Sequence, residues 1–239
     1  MNKRKLVLAF VVLSMAAVSH RTAAQSTILN TPSTDVVAPK KVYVEMDFIS
    51  NYAWQRDDNS KYANYSPRVV VGVARNVEAG VNVSFTQVPG GGEPIELQPN
   101  AKWQFYQNEK AGVAASVGCI GYLPITHRAG TDSLVQCYSV VSKKVSGDLG
   151  PRFHGGGYAL IGASKAERTK AGAILAYEQP FSKRTGLLLD WLSGDNRFGS
   201  ASPGLYILLP HNSSLSGGYT IANHGRGKNA FFLYYGTQF

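Results

Sequence analysis

The last eleven residues of the chain, Asn229–Phe239, read NAFFLYYGTQF. Every second residue, counted back from the terminus, belongs to an aromatic and apolar series. The residues between them are mixed and end in small or polar groups. A period of two indicates a β-strand with two different faces. The chain therefore ends on a half-buried strand whose last group is the carboxylate of a phenylalanine.

This ending resembles the C-terminal signal by which bacterial outer-membrane β-barrels are recognised and inserted. The residues that carry the resemblance are Phe231, Leu233, Tyr235 and Phe239. It implies that these four side chains face lipid and that residues 229–239 form the closing strand of a barrel. We expect deletion of Phe239 to impair assembly far more than any activity.

The N-terminus has the pattern of a secretory signal peptide. A positive start at residues 3–5 precedes an uncharged apolar stretch at 6–18, and small residues follow before Gln25. The apolar stretch is shorter than the roughly 18–20 residues that a membrane-anchoring helix needs. We therefore predict that residues 1–24 are a signal peptide of the Sec type and that the protein is exported to the bacterial outer membrane.

Removing residues 1–24 takes away four positive charges and no negative ones, so the net charge falls from +9 to +5. Export and the lack of a clustered basic stripe disfavour a nucleic-acid partner. After residue 24 no apolar run approaches 18 residues, so a membrane-embedded mature protein would be a barrel and not a helical bundle. The expected partners are outer-membrane lipid, lipopolysaccharide and the barrel-insertion machinery; no cofactor or metal is expected.

Alternation continues through residues 42–239 and is less clear near 134–142 and 151–162. In the first strand Val44 and Met46 lie on one face, and Glu45 and Asp47 lie on the other. Two carboxylates in an apolar strand fit a barrel whose outer face meets lipid and whose inner face is polar. We predict an all-β, transmembrane, antiparallel up-and-down barrel of about twelve strands, within a range of about ten to fourteen. The candidate strands are near 42–53, 65–75, 78–88, 95–107, 110–122, 134–142, 151–162, 169–179, 184–193, 203–210, 214–223 and 229–239.

The connections between these strands alternate between short and long, as periplasmic turns and external loops do; only 143–150 is long for a turn. A soluble β-sandwich is the alternative. It would bury its aromatic residues, whereas here they cluster near strand ends, as in interfacial girdles. Residues 25–41 are polar and hold Pro32 and Pro39, so we predict an extended periplasmic lead-in and leave open whether it enters the lumen.

Two cysteines, Cys119 and Cys137, are equidistant from the centre of the 123–133 loop. In a hairpin they would face each other across neighbouring strands, close enough for a disulfide. We favour the disulfide over two unrelated small residues, and in either case the role is structural.

The inner face carries charges of both signs, which would either cross-link the walls and plug the lumen or line a narrow polar path for a solute. Both interpretations use the same residues and stay open at this point. The residues are Glu45, Asp47, Arg68, Glu96, Lys102, Arg152, His154, Lys170, Glu178 and Asp190.

Enzymes with a serine–histidine site occur among outer-membrane barrels, but the histidines here give little support for one. Three of them, His127, His211 and His224, lie in predicted loops or turns, and His154 has no evident Ser–Asp partner in the sequence. The acidic pair Asp57–Asp58 lacks an ordered series of calcium ligands. We predict neither a catalytic residue nor a metal site.

Two stretches resemble the transporter-like barrels that are grouped with the meta-pathway phenol-degradation outer-membrane proteins. They are NTPSTDVVAPKKVYVEMDF at 30–48 and GGYTIANHGRGKNAFFLYYGTQF at 217–239. The resemblance implies passage of small compounds, including aromatic ones, and identifies no substrate residue. We expect a passive channel or transporter; the alternatives are a structural or adhesive barrel with a plugged lumen and, less favoured, a lipid-modifying enzyme.

Overall fold

The computed structural model describes residues 27–52, 61–91, 93–126, 133–224 and 229–239, and none of these residues is helical. No helix in the described ranges could therefore cross a membrane. The predicted signal peptide at 1–24 lies outside them. The strands are β1 (Val42–Ser50), β2 (Ala63–Ala74), β3 (Val77–Gln87), β4 (Ile95–Asn108), β5 (Val113–Pro124), β6 (Leu134–Lys144), β7 (Arg152–Ile161), β8 (Ala171–Pro180), β9 (Thr185–Leu192), β10 (Ser200–Leu209), β11 (Ser213–Ala222) and β12 (Ala230–Gln238).

The twelve strands form a closed antiparallel barrel in which each strand pairs with its neighbours in sequence and β12 pairs with β1. Closure places Phe48 opposite Leu233. Beyond the last paired residues, the N–H of Phe239 donates to the carbonyl of Val42 at 2.9 Å. The predicted barrel, its twelve strands and the pairing of the first strand with the last are confirmed. Closure also excludes the β-sandwich and leaves no exposed strand edge.

The barrel has two different ends. The chain enters β1 and leaves β12 at the end that carries the shorter connections, which we call the turn end; the opposite end is the loop end. Asn76 and His211 adopt positive φ angles in two of the short connections, where a tight reversal requires them. The connection at 145–151 is long, and a hydrogen bond from Val145 N to Pro151 O closes it at 2.8 Å.

The outer surface is apolar on every strand. Large side chains point outward and stay exposed; Trp103 is 53% exposed, for example. Alternate residues of the same strands point inward and are buried, as the period of two requires. The exposed outward residues include Met46, Val69, Val81, Trp103, Leu123, Val141, Phe153, Leu175, Leu189, Leu205, Ile221 and Leu233.

The barrel interior is filled, in part by apolar side chains. The largest cluster joins β5 to β9 and includes Tyr138, Val140, Tyr158 and Ile174. Strands β6 and β7 contribute much of it, so both of their faces are apolar. This explains why alternation in the sequence is weakest at 134–142 and 151–162.

A disulfide joins Cys119 of β5 to Cys137 of β6, with Cα atoms 4.1 Å apart. The two residues are direct partners in the ladder. Their side chains share the outward face, because Tyr138 beside them points inward. Closing a loop of 18 residues stabilises the fold by about 3 kcal/mol in the chain-entropy model.

Candidate functional site in the barrel lumen

Residues 27–38, which we call the N-terminal segment, lie inside the barrel. Ile28, Thr34 and Val37 are each at most 2% exposed. The sequence analysis assigned residues 25–41 to an extended periplasmic lead-in. It left open whether this range enters the lumen; the described part does, because the segment contacts the inner wall on several strands. A polar sequence was compatible with solvent, but here the polar groups are satisfied by wall residues.

The segment begins with a tight reversal and then runs extended towards β1. The N–H of Ile28 donates to Thr31 O at 2.9 Å, and Lys40 N donates to the carbonyl of Gly72 at 2.9 Å. A Cβ atom on Gly72 would lie 2.1 Å from the carbonyl oxygen of Ala38. Glycine at this position therefore permits the close approach of the segment to β2.

Apolar side chains anchor both ends of the segment. Ile28 and Leu29 pack against Leu188, Phe232 and Tyr234 in one cluster. At the other end Val37 packs against Tyr43 and Val70. Burial of these side chains stabilises the bound segment by about 25 cal/mol per Å² of apolar surface removed from water.

Wall side chains bind the main chain of the segment between these anchors. Asp190 Oδ2 accepts the N–H groups of both Asn30 (2.6 Å) and Thr31 (2.8 Å). Glu78 Oε2 accepts the N–H of Val37 at 2.7 Å.

Two wall donors reach carbonyl oxygens of the same segment. Gln104 Nε2 donates to Thr34 O at 2.9 Å, and Ser116 Oγ donates to Ser33 O at 3.4 Å. The wall therefore satisfies donors and acceptors of an extended main chain that is buried away from water.

Arg152 supplies the main charged contact to the segment. Its guanidinium donates to both carboxylate oxygens of Asp35, at 2.6 and 2.8 Å, and to Thr34 Oγ1 at 2.6 Å. Thr34 Oγ1 also lies 2.7 Å from Ser142 Oγ. Burial would raise the pKa of Asp35, but the hydrogen bond and charge of Arg152 outweigh it and hold that pKa below its ordinary value.

Two further groups of predicted lumen residues pair with charges on the wall. Arg68 contacts Glu45 at 2.9 Å and Asp47 at 3.4 Å. Lys102 contacts Glu78 at 3.0 Å, and both side chains are almost fully buried. These pairs join neighbouring strands of the wall. Glu78 also binds the N-terminal segment through its second carboxylate oxygen.

His154 and Glu178 form a third pair, with Nε2 and Oε1 2.5 Å apart. Ser142 is the ladder partner of His154 on β6, so the three residues lie close together, which the sequence analysis did not foresee. The hydroxyl of Ser142 is engaged by Thr34 and by Arg152, whose NH2 group donates to it at 3.0 Å. These contacts use Ser142 to hold the N-terminal segment.

Glu96 and Lys170 lie towards the loop end. Glu96 points inward and pairs with Arg197 at 2.9 Å. Lys170 is exposed in the connection before β8, so its assignment to the inner wall is wrong. It is spaced by an even number of residues from the inward-facing residues of β8, but the strand begins one residue later.

The connection between β9 and β10 folds over the interior at the loop end. Asn196 is buried and donates to Tyr158 Oη at 2.7 Å. The guanidinium of Arg197 lies over the ring of Tyr122, 4.5 Å from its centroid. Phe198 contacts the same ring at a centroid distance of 4.9 Å. This connection therefore covers the apolar cluster.

A cavity of about 180 Å³ lies between this connection and the N-terminal segment. Asn30 of the segment is part of its lining, and Arg197 on its rim is exposed. Ile49, Tyr62, Phe198 and Thr220 contribute further surface. The cavity has room for a small molecule with apolar and hydrogen-bonding groups, and the N-terminal segment separates it from the turn end.

Sequence reasoning missed several residues of this site. Glu78 lies four residues before Asn82 on β3 and therefore on the same inward face, so the alternation of this strand could have identified Glu78. Asn30 and Asp35 belong to a segment without periodicity, so no local signal placed them in the lumen. The predicted insertion-signal residues Phe231, Leu233, Tyr235 and Phe239 all point outward and are at least 40% exposed.

Within the described ranges, no group of three or more His, Cys, Asp or Glu residues is arranged to hold a metal ion. Asp57, Asp58 and His127 lie outside those ranges. His211 and His224 are exposed in connections between strands.

Comparisons with known proteins add little to this geometry. No family model and no curated protein matches the chain. A solved structure described as "Asymmetric conductivity of engineered proteins" aligns with 83% of this chain and 98% of that chain. The sequence identity is 9% and the TM-score is 0.29, so this likeness carries no argument about fold or function.

Proposed function

We propose that the protein is an outer-membrane channel or transporter for small molecules, exported by the signal peptide at residues 1–24. The observation that carries the proposal is the outer surface, where each of the twelve strands exposes at least one large apolar side chain. Such a continuous apolar surface is unfavourable in water and suits lipid. Lipid and lipopolysaccharide would contact it, and the insertion machinery would recognise β12.

The proposed path would open where the N-terminal segment now lies. The cavity at the loop end would receive the solute, and the charges on the wall would line the route beyond it. The likeness to phenol-degradation transporters remains part of the proposal. We assign no catalytic activity, because the hydroxyl of Ser142, the ladder partner of His154, is bound by Arg152 and Thr34.

A structural barrel with a plugged lumen is the second candidate, and one observation favours it. The N-terminal segment is bound by residues of β3, β4, β5, β7 and β9, so it occupies much of the cross-section. The two candidates differ in whether this segment leaves its position.

A reversible cross-link tests this difference. Thr34 and Ser142 have hydroxyl oxygens 2.7 Å apart, so the double variant Thr34→Cys/Ser142→Cys should form a disulfide that fixes the segment to β6. For a channel, we expect the wild-type protein to conduct ions in planar bilayers. The oxidised variant should conduct at least tenfold less, and a reductant should restore the current.

The matched control is Ser213→Cys/Thr237→Cys. These hydroxyls are 3.0 Å apart on β11 and β12, so this cross-link joins two wall strands without touching the segment. It should conduct like the wild type before and after reduction, which also controls for reduction of Cys119–Cys137. Absence of current and of solute flux in every protein would reject the channel and leave the structural barrel.

A further inference from the structure

The contacts between wall and N-terminal segment are of a kind that recognises polypeptide. Five main-chain atoms of the segment are bound by wall side chains: the N–H groups of residues 30, 31 and 37 and the carbonyl groups of residues 33 and 34. Contacts to main-chain atoms do not depend on side-chain identity. They do depend on the spacing of peptide groups along a chain that reverses at residues 28–31 and is extended from there towards β1.

The bound groups are spread over a length that a small solute does not have. Thr31 and Val37 are six residues apart, which is at most about 20 Å of extended chain. Asp190 binds one end of this stretch and Glu78 binds the other. A single sugar or aromatic ring is too short to contact both carboxylates at once.

Two side-chain subsites add selectivity to this main-chain recognition. The apolar surface of Leu188, Phe232 and Tyr234 receives Ile28 and Leu29. Several residues further along, Arg152 binds the carboxylate of Asp35 through both of its terminal nitrogens. The wall is therefore complementary to a peptide that has apolar residues at one end and an acidic residue nearer the other.

We propose that the inner wall is a peptide-binding site, that the chain fills it with its own residues 27–38, and that short peptides are the solute class of the barrel. The first two parts concern binding alone; the third rests on the proposed channel function. The resident segment occupies the site as a ligand attached to β1. A free peptide of the same chemistry competes for that site once the attachment is cut.

Cutting the attachment in the folded barrel tests the binding site. Lys40 and Lys41 are exposed between the segment and β1. A recognition sequence for a protease that cuts nowhere else in the chain would be inserted between them in the full-length protein. After cleavage in detergent, we expect a fluorescent peptide of residues 25–38 to replace the resident segment. The uncut protein should bind it at least tenfold more weakly.

Modified peptides test what the wall recognises. N-methylation at Thr31 and Val37 removes the two N–H groups that Asp190 and Glu78 accept, and should weaken binding at least tenfold. The matched control is N-methylation at Asp35, whose N–H donates within the segment to Ser33 Oγ. This control should weaken binding less than the double modification. Maltohexaose, a saccharide of comparable length, should not displace the peptide.

The outcomes separate the binding site from the channel. The peptide site is rejected if the cut barrel stays folded and releases the segment but binds no peptide at millimolar concentration. It is also rejected if the double N-methylation does not weaken binding, or if maltohexaose displaces the fluorescent peptide as well as the unlabelled peptide does. Flux of sugars but not of peptides into liposomes would reject the peptide as solute and keep the channel. Peptide exchange without any flux would reject the channel and keep the binding site.

Discussion

The C-terminal strand β12 and the N-terminal segment are held in different ways. The C-terminal strand β12 is bound on both sides by main-chain ladders, to β1 and to β11. The N-terminal segment lies inside the ring and is bound mainly by side chains of the wall. A ladder closes the barrel and therefore affects every strand, whereas the contacts of the segment affect only the segment. We expect β12 to determine assembly and the segment to determine the state of the lumen.

Proline substitution should show the largest difference between β12 and the N-terminal segment. Leu233→Pro removes a ladder N–H from a strand that is paired on both sides, a position that does not accept proline. We expect at least tenfold less assembled barrel, measured by heat-modifiable mobility on gels. Thr31→Pro removes the N–H that Asp190 accepts and should change the amount of barrel by less than about twofold. Equal loss of barrel in both variants would contradict the division of roles.

Deletion of Phe239 tests the last contact of β12. Its N–H donates to Val42 O, and its carbonyl accepts from Val42 N at 3.3 Å. Losing two hydrogen bonds of about 0.5–1.5 kcal/mol each should reduce the assembled fraction about tenfold. Phe239→Ala keeps both bonds and removes the outward ring. A similar defect in this variant would assign the effect to recognition of the ring, and normal accumulation of the deletion variant would refute its role in assembly.

Substitution of Asp190 tests whether the wall contacts affect the N-terminal segment alone. Asp190→Ala removes the acceptor of a buried and a partly buried N–H group, each bond being worth about 1.5–3 kcal/mol because the acceptor is charged. We expect hydrogen exchange at Asn30 and Thr31 to accelerate at least tenfold while the strands stay protected. Asp195→Ala at the loop end is the control and should leave exchange at residues 30–31 unchanged. Unchanged exchange in Asp190→Ala would mean that other contacts hold this part of the segment.

The same comparison shows what the sequence could predict. The alternation of Phe231, Leu233 and Tyr235 follows from the geometry of a strand, so it identified β12, its outward face and, by repetition, the twelve-stranded ring. The position of the N-terminal segment depends on contacts with β3, β4, β5, β7 and β9, which are distant in sequence and have no period. The charges at Arg152 and Asp190 were placed on the inner wall correctly, but their partner was not foreseen because it lies in a polar stretch that would also be stable in water.

The pair of Arg152 and Asp35 predicts a smaller, pH-dependent effect. The pKa of Asp35 in the bound segment is below its ordinary value of 3.8, so binding favours the ionised carboxylate. This contribution is complete above pH 3.8 and is lost as the pH falls through the lowered pKa. The side chain of Asp35 is 35% exposed, so solvent screens the pair and the effect should be smaller than that of Asp190→Ala.

We expect exchange protection at residues 34–37, corrected for the intrinsic pH dependence of exchange, to fall by a few-fold between pH 5 and pH 3. Asp35→Asn should show the lower protection at both pH values, since its amide does not titrate. If Asp35→Asn showed the same fall as the wild type, another group would be responsible, with Glu178 beside Arg152 as the first to substitute.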